Sequence, residues 1–177
     1  MTNEAAGQAW RQQDSHALWR GKLADPQAMR SVVVFFGIVC CVAVLGGLAP
    51  MGEWYAHLIK PRWMPPGWAF GAAWTPLYVC IAFAGWKLWR SESSEARRIS
   101  LWLWAAQMML NALWSPLFFG LHQPLAALVD ILLLNCVLAA SFGWFRQVSP
   151  LAAWLFVPYA LWIVFATALN AAIVMLN

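Results

Sequence analysis

Five long apolar runs restrict the folds open to this chain more than any other feature of its sequence. A helix needs about 20 apolar residues to cross the hydrocarbon core of a membrane, and within lipid its backbone must satisfy its own hydrogen bonds. The alternating pattern of a membrane β-barrel strand is absent from these runs. We therefore predict an all-α integral membrane protein built as a five-transmembrane-helix bundle. The predicted spans cover about residues 32–49, 67–86, 99–121, 124–145 and 149–175.

The composition excludes a water-soluble fold. Hydrophobic residues make up 63% of the chain and charged residues only 10%, whereas a soluble domain carries roughly 25% charged residues. The net charge of +4 is therefore a guide to membrane topology, and no nucleic-acid partner is expected. The cysteines lie inside the apolar runs and the histidines outside them, without the spacing of a metal site. We expect no metal ion and no conventional hydrolytic chemistry.

Lysine and arginine are divided unevenly between the two predicted membrane sides. The loop after the first span holds only Lys60 and Arg62. In a bacterial inner membrane, the positive-inside rule then places the N-terminus in the cytoplasm and loop one and the C-terminus on the opposite side. Residues 1–30 form a polar N-terminal extension, which we expect to be mobile, and residues 31–177 form the membrane domain. The other basic residues share the N-terminal side: Arg11, Arg20, Lys22, Arg30, Lys87, Arg90, Arg97, Arg98 and Arg146.

A few polar side chains interrupt the apolar runs. Gln107 and Asn111 are four residues apart, so they share one helix face, and Ser115 continues that row. Such groups either hold helices together by hydrogen bonds or face a ligand, and the sequence leaves both interpretations open. Asp130 is the single acid within a span and lies six residues after Pro124. It is a near-surface acid, a partner of a helix end or a ligand contact.

Three mid-span prolines lie beside aromatic residues, in "WTPLY" at 74–78, "WSPLF" at 114–118 and "VPYALW" at 157–162. Proline removes a backbone hydrogen bond and bends a helix. Bent helices with large rings enclose a cavity, or the rings simply fill the core. Taken alone, the pattern favours the filled core.

Three longer segments carry a resemblance to a known family. They are "WYAHLIKPRWMPPGWAFGAAWTPLY", "AAQMMLNALWSPLFFG" and "WLFVPYALWIVFATALN", in this order. Over about residues 32–173 the chain resembles the TspO/MBR family, the tryptophan-rich sensory proteins and translocator proteins, also called peripheral-type benzodiazepine receptors. The resemblance implies a five-helix bundle, a homodimer, and a pocket for porphyrins, haem, sterols and benzodiazepine-type drugs. It implies no required cofactor, since porphyrin or haem is the ligand.

The resemblance also implies which residues form the site. Loop one, residues 50–66, closes over the pocket mouth as a lid that contains Lys60, Pro61, Trp63, Pro65 and Pro66. Cations at the mouth contact either porphyrin propionates or lipid phosphates. The implied ligand-binding residues are Trp54, Tyr55, Trp74, Tyr78, Asn111, Trp114, Phe118, Asp130, Tyr159, Trp162 and Ala166.

The expected function is that of a membrane receptor or transport-type protein. It binds protoporphyrin, haem and related hydrophobic molecules, and has a sensory or regulatory role in tetrapyrrole handling and stress. One alternative is light-dependent porphyrin degradation with Trp74 and Trp162 as radical partners, so enzymatic activity is left open. The other is a sterol or lipid transporter, or a dimeric signalling scaffold. The C-terminal run lacks the Tyr followed by Lys or Arg of the proposed sterol-recognition pattern, which puts cholesterol binding in doubt.

Overall fold

The computed structural model describes residues 26–48 and 52–177, and these residues form helices joined by short connections, with no β-strand among them. Residues 1–25 of the predicted extension 1–30 lie outside the described residues. Positions 50 and 51 of loop one also lie outside them. A π-helical turn, Pro116–Gly120, directly follows the fourth helix. The helices are α1 (Pro26–Leu48), α2 (Glu53–His57), α3 (Gly67–Trp89), α4 (Glu95–Ser115), α5 (Pro124–Val148) and α6 (Pro150–Leu176).

Four of these helices, α1, α3, α5 and α6, are long and apolar enough to cross a membrane. Together with the absence of strands from the described residues, this confirms the all-helical membrane class. Helix α4 is not among the four candidates. Its sequence begins with "EARR" and also contains Gln107 and Asn111, which lower its mean hydropathy. The predicted count of five spans therefore stays a prediction.

The ends of α4 show how local chemistry sets helix boundaries. Ser94 precedes the helix, and its hydroxyl oxygen accepts a hydrogen bond from the Arg97 backbone N–H at 3.1 Å. Serine caps a helix in this way, so α4 begins before the predicted residue 99. At the other end, Pro116 lacks the N–H that an α-helix would use. The chain continues as the π-turn, in which Leu121 N–H donates to the Pro116 carbonyl at 2.8 Å.

Residues Phe35–Asn177 form the larger of two units in the chain. In the larger unit, α5 packs extensively on both α4 and α6, and α3 packs mainly on α6. The connection between the π-turn and α5 is tight. Its residue His122 has a positive φ of 56°, and Gln123 N–H donates to the Leu117 carbonyl at 3.0 Å.

A close approach between α3 and α4 fixes a large ring in the core. Trp104 is buried, its Nε1 donates to the Ile81 carbonyl at 3.0 Å, and its ring meets Phe35 edge-on at 5.0 Å between centroids. Gly85 faces this pair. A Cβ at position 85 would lie 2.6 Å from the Trp104 ring and 2.7 Å from Phe35. The helices reach this distance because position 85 has no side chain.

Replacing Gly85 with alanine should therefore destabilise the protein. The added methyl group cannot be accommodated without moving a buried, hydrogen-bonded ring, and overpacking of this kind costs about 1–3 kcal/mol. The free energy of unfolding in a detergent titration measures the effect. Gly143→Ala is the matched control, because nothing lies within 4 Å of its Cβ position. Equal stability of the two variants would contradict the packing described here.

Candidate functional site

Four large rings from two helices meet inside the larger unit. Trp74 and Tyr78, one turn apart on α3, are stacked with their centroids 5.0 Å apart. From α6, the Tyr159 ring lies 6.1 Å from that of Trp74, and the Trp162 ring meets Trp74 edge-on at 6.5 Å. Residues three or four positions apart share a helix face, so each pair projects toward the other helix. Four residues of the predicted site are thus brought together.

Asn111 joins this ring cluster to a third helix, α4. Its Nδ2 donates to the Tyr159 hydroxyl at 3.0 Å, and its Oδ1 accepts from the Tyr78 hydroxyl at 3.4 Å. Inside a membrane such a cross-helix bond contributes about 0.6–2 kcal/mol. These bonds confirm that Asn111 holds helices together, one of the two roles that the sequence left open. The resemblance predicts a ligand contact at the same residue. We call Trp74, Tyr78, Asn111, Tyr159 and Trp162 the inner cluster.

Several buried polar groups have no hydrogen-bond partner within the described part of the chain. Asp130 is 4% exposed and Gln107 is 0% exposed, and all four of their side-chain polar atoms lack a partner. Trp162 Nε1 is also buried and unpaired. Asp130 lies close enough to Tyr159 to interact with it electrostatically. Buried polar groups without partners are costly, so the unpaired state of these three residues calls for an explanation.

A second group of rings lies next to loop one. Trp114 and Phe118 are stacked at 5.0 Å. Trp54 meets Phe118 edge-on at 5.9 Å and stacks on the His122 ring at 4.4 Å. Tyr55 approaches Phe118 edge-on at 6.4 Å. We call these five residues the outer cluster. Trp114 also packs against the main core, so it connects the outer cluster with the inner one.

Asn170, which is absent from the predicted site, holds Trp114 in place. Its Oδ1 accepts from Trp114 Nε1 at 3.0 Å, and its Nδ2 donates to the Pro124 carbonyl at 2.9 Å. One buried amide therefore ties α6 to α4 and to the start of α5. The only sequence signal for this role is that an amide occurs in an apolar run.

Loop one is attached to the body of the protein at several points. Lys60 Nζ lies over the Tyr55 ring, 4.5 Å from its centroid. Trp63 contacts Phe165 edge-on at 5.9 Å. The Asn177 side chain pairs with both backbone groups of Ile59, accepting from its N–H at 2.9 Å and donating to its carbonyl at 3.1 Å. The Trp63 contact and the Ile59 bonds hold this part of the predicted lid against α6 and the residue that follows it, whereas the contact of Lys60 with Tyr55 lies within loop one.

The remaining predicted residues lie around these clusters. Ala166 is half-buried and packs against the main core. In loop one, Pro61 is buried, Pro65 is half-buried, and Pro66 is the residue that precedes α3. Burial raises the pKa of the Tyr55 hydroxyl above its ordinary value.

Fold and site together define the class: an all-helical membrane protein with a hydrogen-bonded aromatic interior. The model of the TspO/MBR family matches residues 32–176. The chain belongs to the TspO/MBR family, as the resemblance in its motifs predicted.

Relatives from bacteria and mammals agree with this assignment. The chain is 38% identical over 135 residues to the tryptophan-rich sensory protein of Cereibacter sphaeroides, covering 76% of this chain and 84% of that protein. It is 34% identical over 145 residues to protein CrtK of Rhodobacter capsulatus, covering 81% of this chain and 91% of that protein. It is 42% identical over 120 residues to the translocator protein of Homo sapiens, covering 67% of this chain and 71% of that protein.

Replacing Asn170 with leucine should lower stability by about 1–3 kcal/mol, because two buried groups, Trp114 Nε1 and the Pro124 carbonyl, lose their partner. Thermal unfolding followed by tryptophan fluorescence measures the change. Gln147→Leu removes an exposed amide that also lies in a helix, and whose Nε2 donates within that helix to the Gly143 carbonyl at 3.4 Å. This control should leave the transition nearly unchanged. If the two variants unfolded alike, Asn170 would not have the anchoring role described.

Proposed function

We propose that this membrane protein binds porphyrins such as protoporphyrin and haem, and related hydrophobic molecules, at the inner cluster. The observation that carries the proposal is Asn111, hydrogen-bonded to two tyrosines beside the Trp74–Tyr78 stack. A flat conjugated ligand needs aromatic faces at stacking distance and a few polar groups to orient it. The inner cluster offers both within one small region.

Binding requires the inner rings to part, because as they stand they contact one another. The rings of Trp74 and Trp162 meet edge-on, so a rotation of either side chain would open a slot between α3 and α6. The ligand then gives partners to groups that have none among the described residues, Asp130, Gln107 and Trp162 Nε1. This gain offsets part of the cost of separating the rings.

Loop one acts in this proposal as the lid. Its Trp54 and Tyr55 already pack on Phe118, and prolines limit the shapes that it adopts. Lys60 and Arg62 lie on the same segment and supply positive charge for the propionates of a porphyrin. Opening of the lid would carry Trp54 and Tyr55 away from Phe118, and would expose Trp114 and Phe118 first and then the inner cluster.

The finer architecture is also part of the proposal. We place α4 as a fifth span. It has 21 residues and is followed by a π-turn of 5 residues. At a rise of roughly 1.5 Å per residue, this length is enough to cross a bilayer core. The exposed apolar face of α4, with Met109 74% exposed, is available for a homodimer. We place the protein in a bacterial inner membrane, where the basic residues favour a cytoplasmic N-terminus.

The biological role that fits such a site is sensing or handling of tetrapyrroles under stress.

Light-dependent oxidation of bound protoporphyrin by dioxygen is a second candidate, favoured by the contact between the Trp74 and Trp162 indoles. Catalysis would give more than one equivalent of oxidised product per site under illumination, whereas damage by a bound photosensitiser would stop at one.

Titration of the purified protein with protoporphyrin should give saturable quenching of tryptophan fluorescence. The double substitution Trp74→Ala and Trp162→Ala should weaken binding by about tenfold or more. Nucleobases, which are also flat and conjugated, gain about 1–3 kcal/mol from each aromatic side chain on which they stack. Absorbance of the bound porphyrin gives a second readout that does not depend on the number of tryptophans.

Trp154→Ala is the matched control. Its ring is exposed and contacts Phe142, away from the inner cluster, so its loss should leave the affinity within about twofold. An unchanged affinity in the double variant, or an equal loss in the Trp154 variant, would rule out the inner cluster as the binding site.

A further inference from the structure

A separate groove lies where α3 ends and α4 begins. Its volume is about 470 Å³, and it is lined by Trp89, Ser93, Ser94, Arg97 and Trp102, among others. Helix α3 is one of the candidate spans and ends at Trp89. The groove therefore lies at a boundary between membrane and water, where tryptophan and arginine are both favoured.

Arg97 is held in this groove in an unusual way. Its guanidinium lies over the Trp89 ring, 5.1 Å from the centroid. Its Nε is buried and has no hydrogen-bond partner among the described residues. An arginine fixed against an aromatic face is already ordered, and its N–H groups match the oxygens of a phosphate. The Arg97 Nε–H group is therefore a hydrogen-bond donor without a partner, and ordering this side chain for binding costs little entropy.

The surroundings add positive charge and apolar surface. Arg98 also lines the groove, and its side chain is 70% exposed, with a 3.6 Å ion pair to an equally exposed Glu95. An exposed pair of this kind is weak, so Arg98 remains available to an anion. The segment 87–98, from the end of α3 to the first turn of α4, holds four basic residues against two acidic ones. Trp102 is 72% exposed and offers an apolar wall toward the lipid chains.

We propose that this groove binds the phosphate headgroup of an anionic phospholipid. Arg97 contacts the phosphate, Arg98 supplies the second charge, and Leu101 and Trp102 lie beside the first part of an acyl chain. Basic pockets at the ends of spans bind anionic lipids in this manner. Because the groove is formed by other residues than the inner cluster, the site is independent of the porphyrin proposal.

The test uses the full chain in a neutral detergent, titrated with dioctanoyl phosphatidylglycerol and followed by native mass spectrometry. The protein should retain one phosphatidylglycerol at concentrations where dioctanoyl phosphatidylcholine is not retained. Arg97→Gln should weaken retention at least tenfold, and Arg98→Gln several-fold. Raising the salt concentration should weaken binding to the unmodified protein and have less effect on the Arg97 variant.

Arg146→Gln is the matched control, because Arg146 also lies over a ring, 5.7 Å from the Phe142 centroid, at the end of another span. It should change retention by less than twofold. If Arg97→Gln does not fold, Arg98→Gln and Arg97→Lys decide the matter. The lysine variant keeps the charge but loses the planar stack, and should bind with an intermediate affinity.

Four results would overturn the proposal. Equal retention by the Arg97, Arg98 and Arg146 variants would show that the groove is not the site, and equal retention of phosphatidylcholine would show that the charge is irrelevant. Displacement of phosphatidylglycerol by inorganic phosphate at the same concentration would identify a free-phosphate site. A change from dimer to monomer in the Arg97 variant, with lipid retention unaltered, would identify a second copy of the chain as the occupant.

Discussion

The hydrogen bonds of Asn111 are the interaction on which the interior of this protein depends. Within a membrane no water is available to polar groups, so each must find its partner in the protein. Asn111 meets this requirement with the hydroxyls of Tyr78 and Tyr159, and in doing so ties α4 to α3 and α6. The aromatic side chains that flank these tyrosines are positioned as a consequence, because the tyrosine hydroxyls fix how the two helices face each other.

The same requirement explains the second group of rings. Asn170 satisfies Trp114 Nε1 and the Pro124 carbonyl, and Trp114 then stacks on Phe118. Trp114 packs against the outer cluster and also against the main core to which the inner rings belong. In the proposed function, this one tryptophan would link movement of loop one to rearrangement of the inner rings.

Groups left without partners are as informative as the satisfied ones. Gln107 shares a helix face with Asn111, yet its amide finds no partner in the described part of the chain. Asp130 is buried near Tyr159 in the same condition. A stable bundle would be better served by apolar residues at both positions, since unpaired burial costs free energy. In the proposed function, a bound molecule would supply the missing partners.

The sequence predicts much of this architecture, and the limits of that prediction are physical. Hydrophobic length locates α3 and α5 closely, because an apolar run has to be a helix within lipid. Helix α4 begins with charged residues that follow the Ser94 cap. A search for apolar runs does not include charged residues, so it places the start of the helix too late. The family motifs name most residues of both clusters. They do not reveal the Asn170 bonds or the stacking of His122 on Trp54, because the register between helices is set by packing rather than by spacing along the chain.

The most direct test of the central claim is an experimental structure of the protein with protoporphyrin bound. The account predicts that the macrocycle lies between α3 and α6, in contact with Trp74, Tyr159 and Trp162, and that at least one of the two Asn111 hydrogen bonds is exchanged for a contact with the ligand. Protoporphyrin bound only in the outer groove of about 400 Å³, which Trp162 lines together with Pro158 and Phe165, with no contact to Trp74 or Tyr159 and with both Asn111 bonds intact, would contradict it.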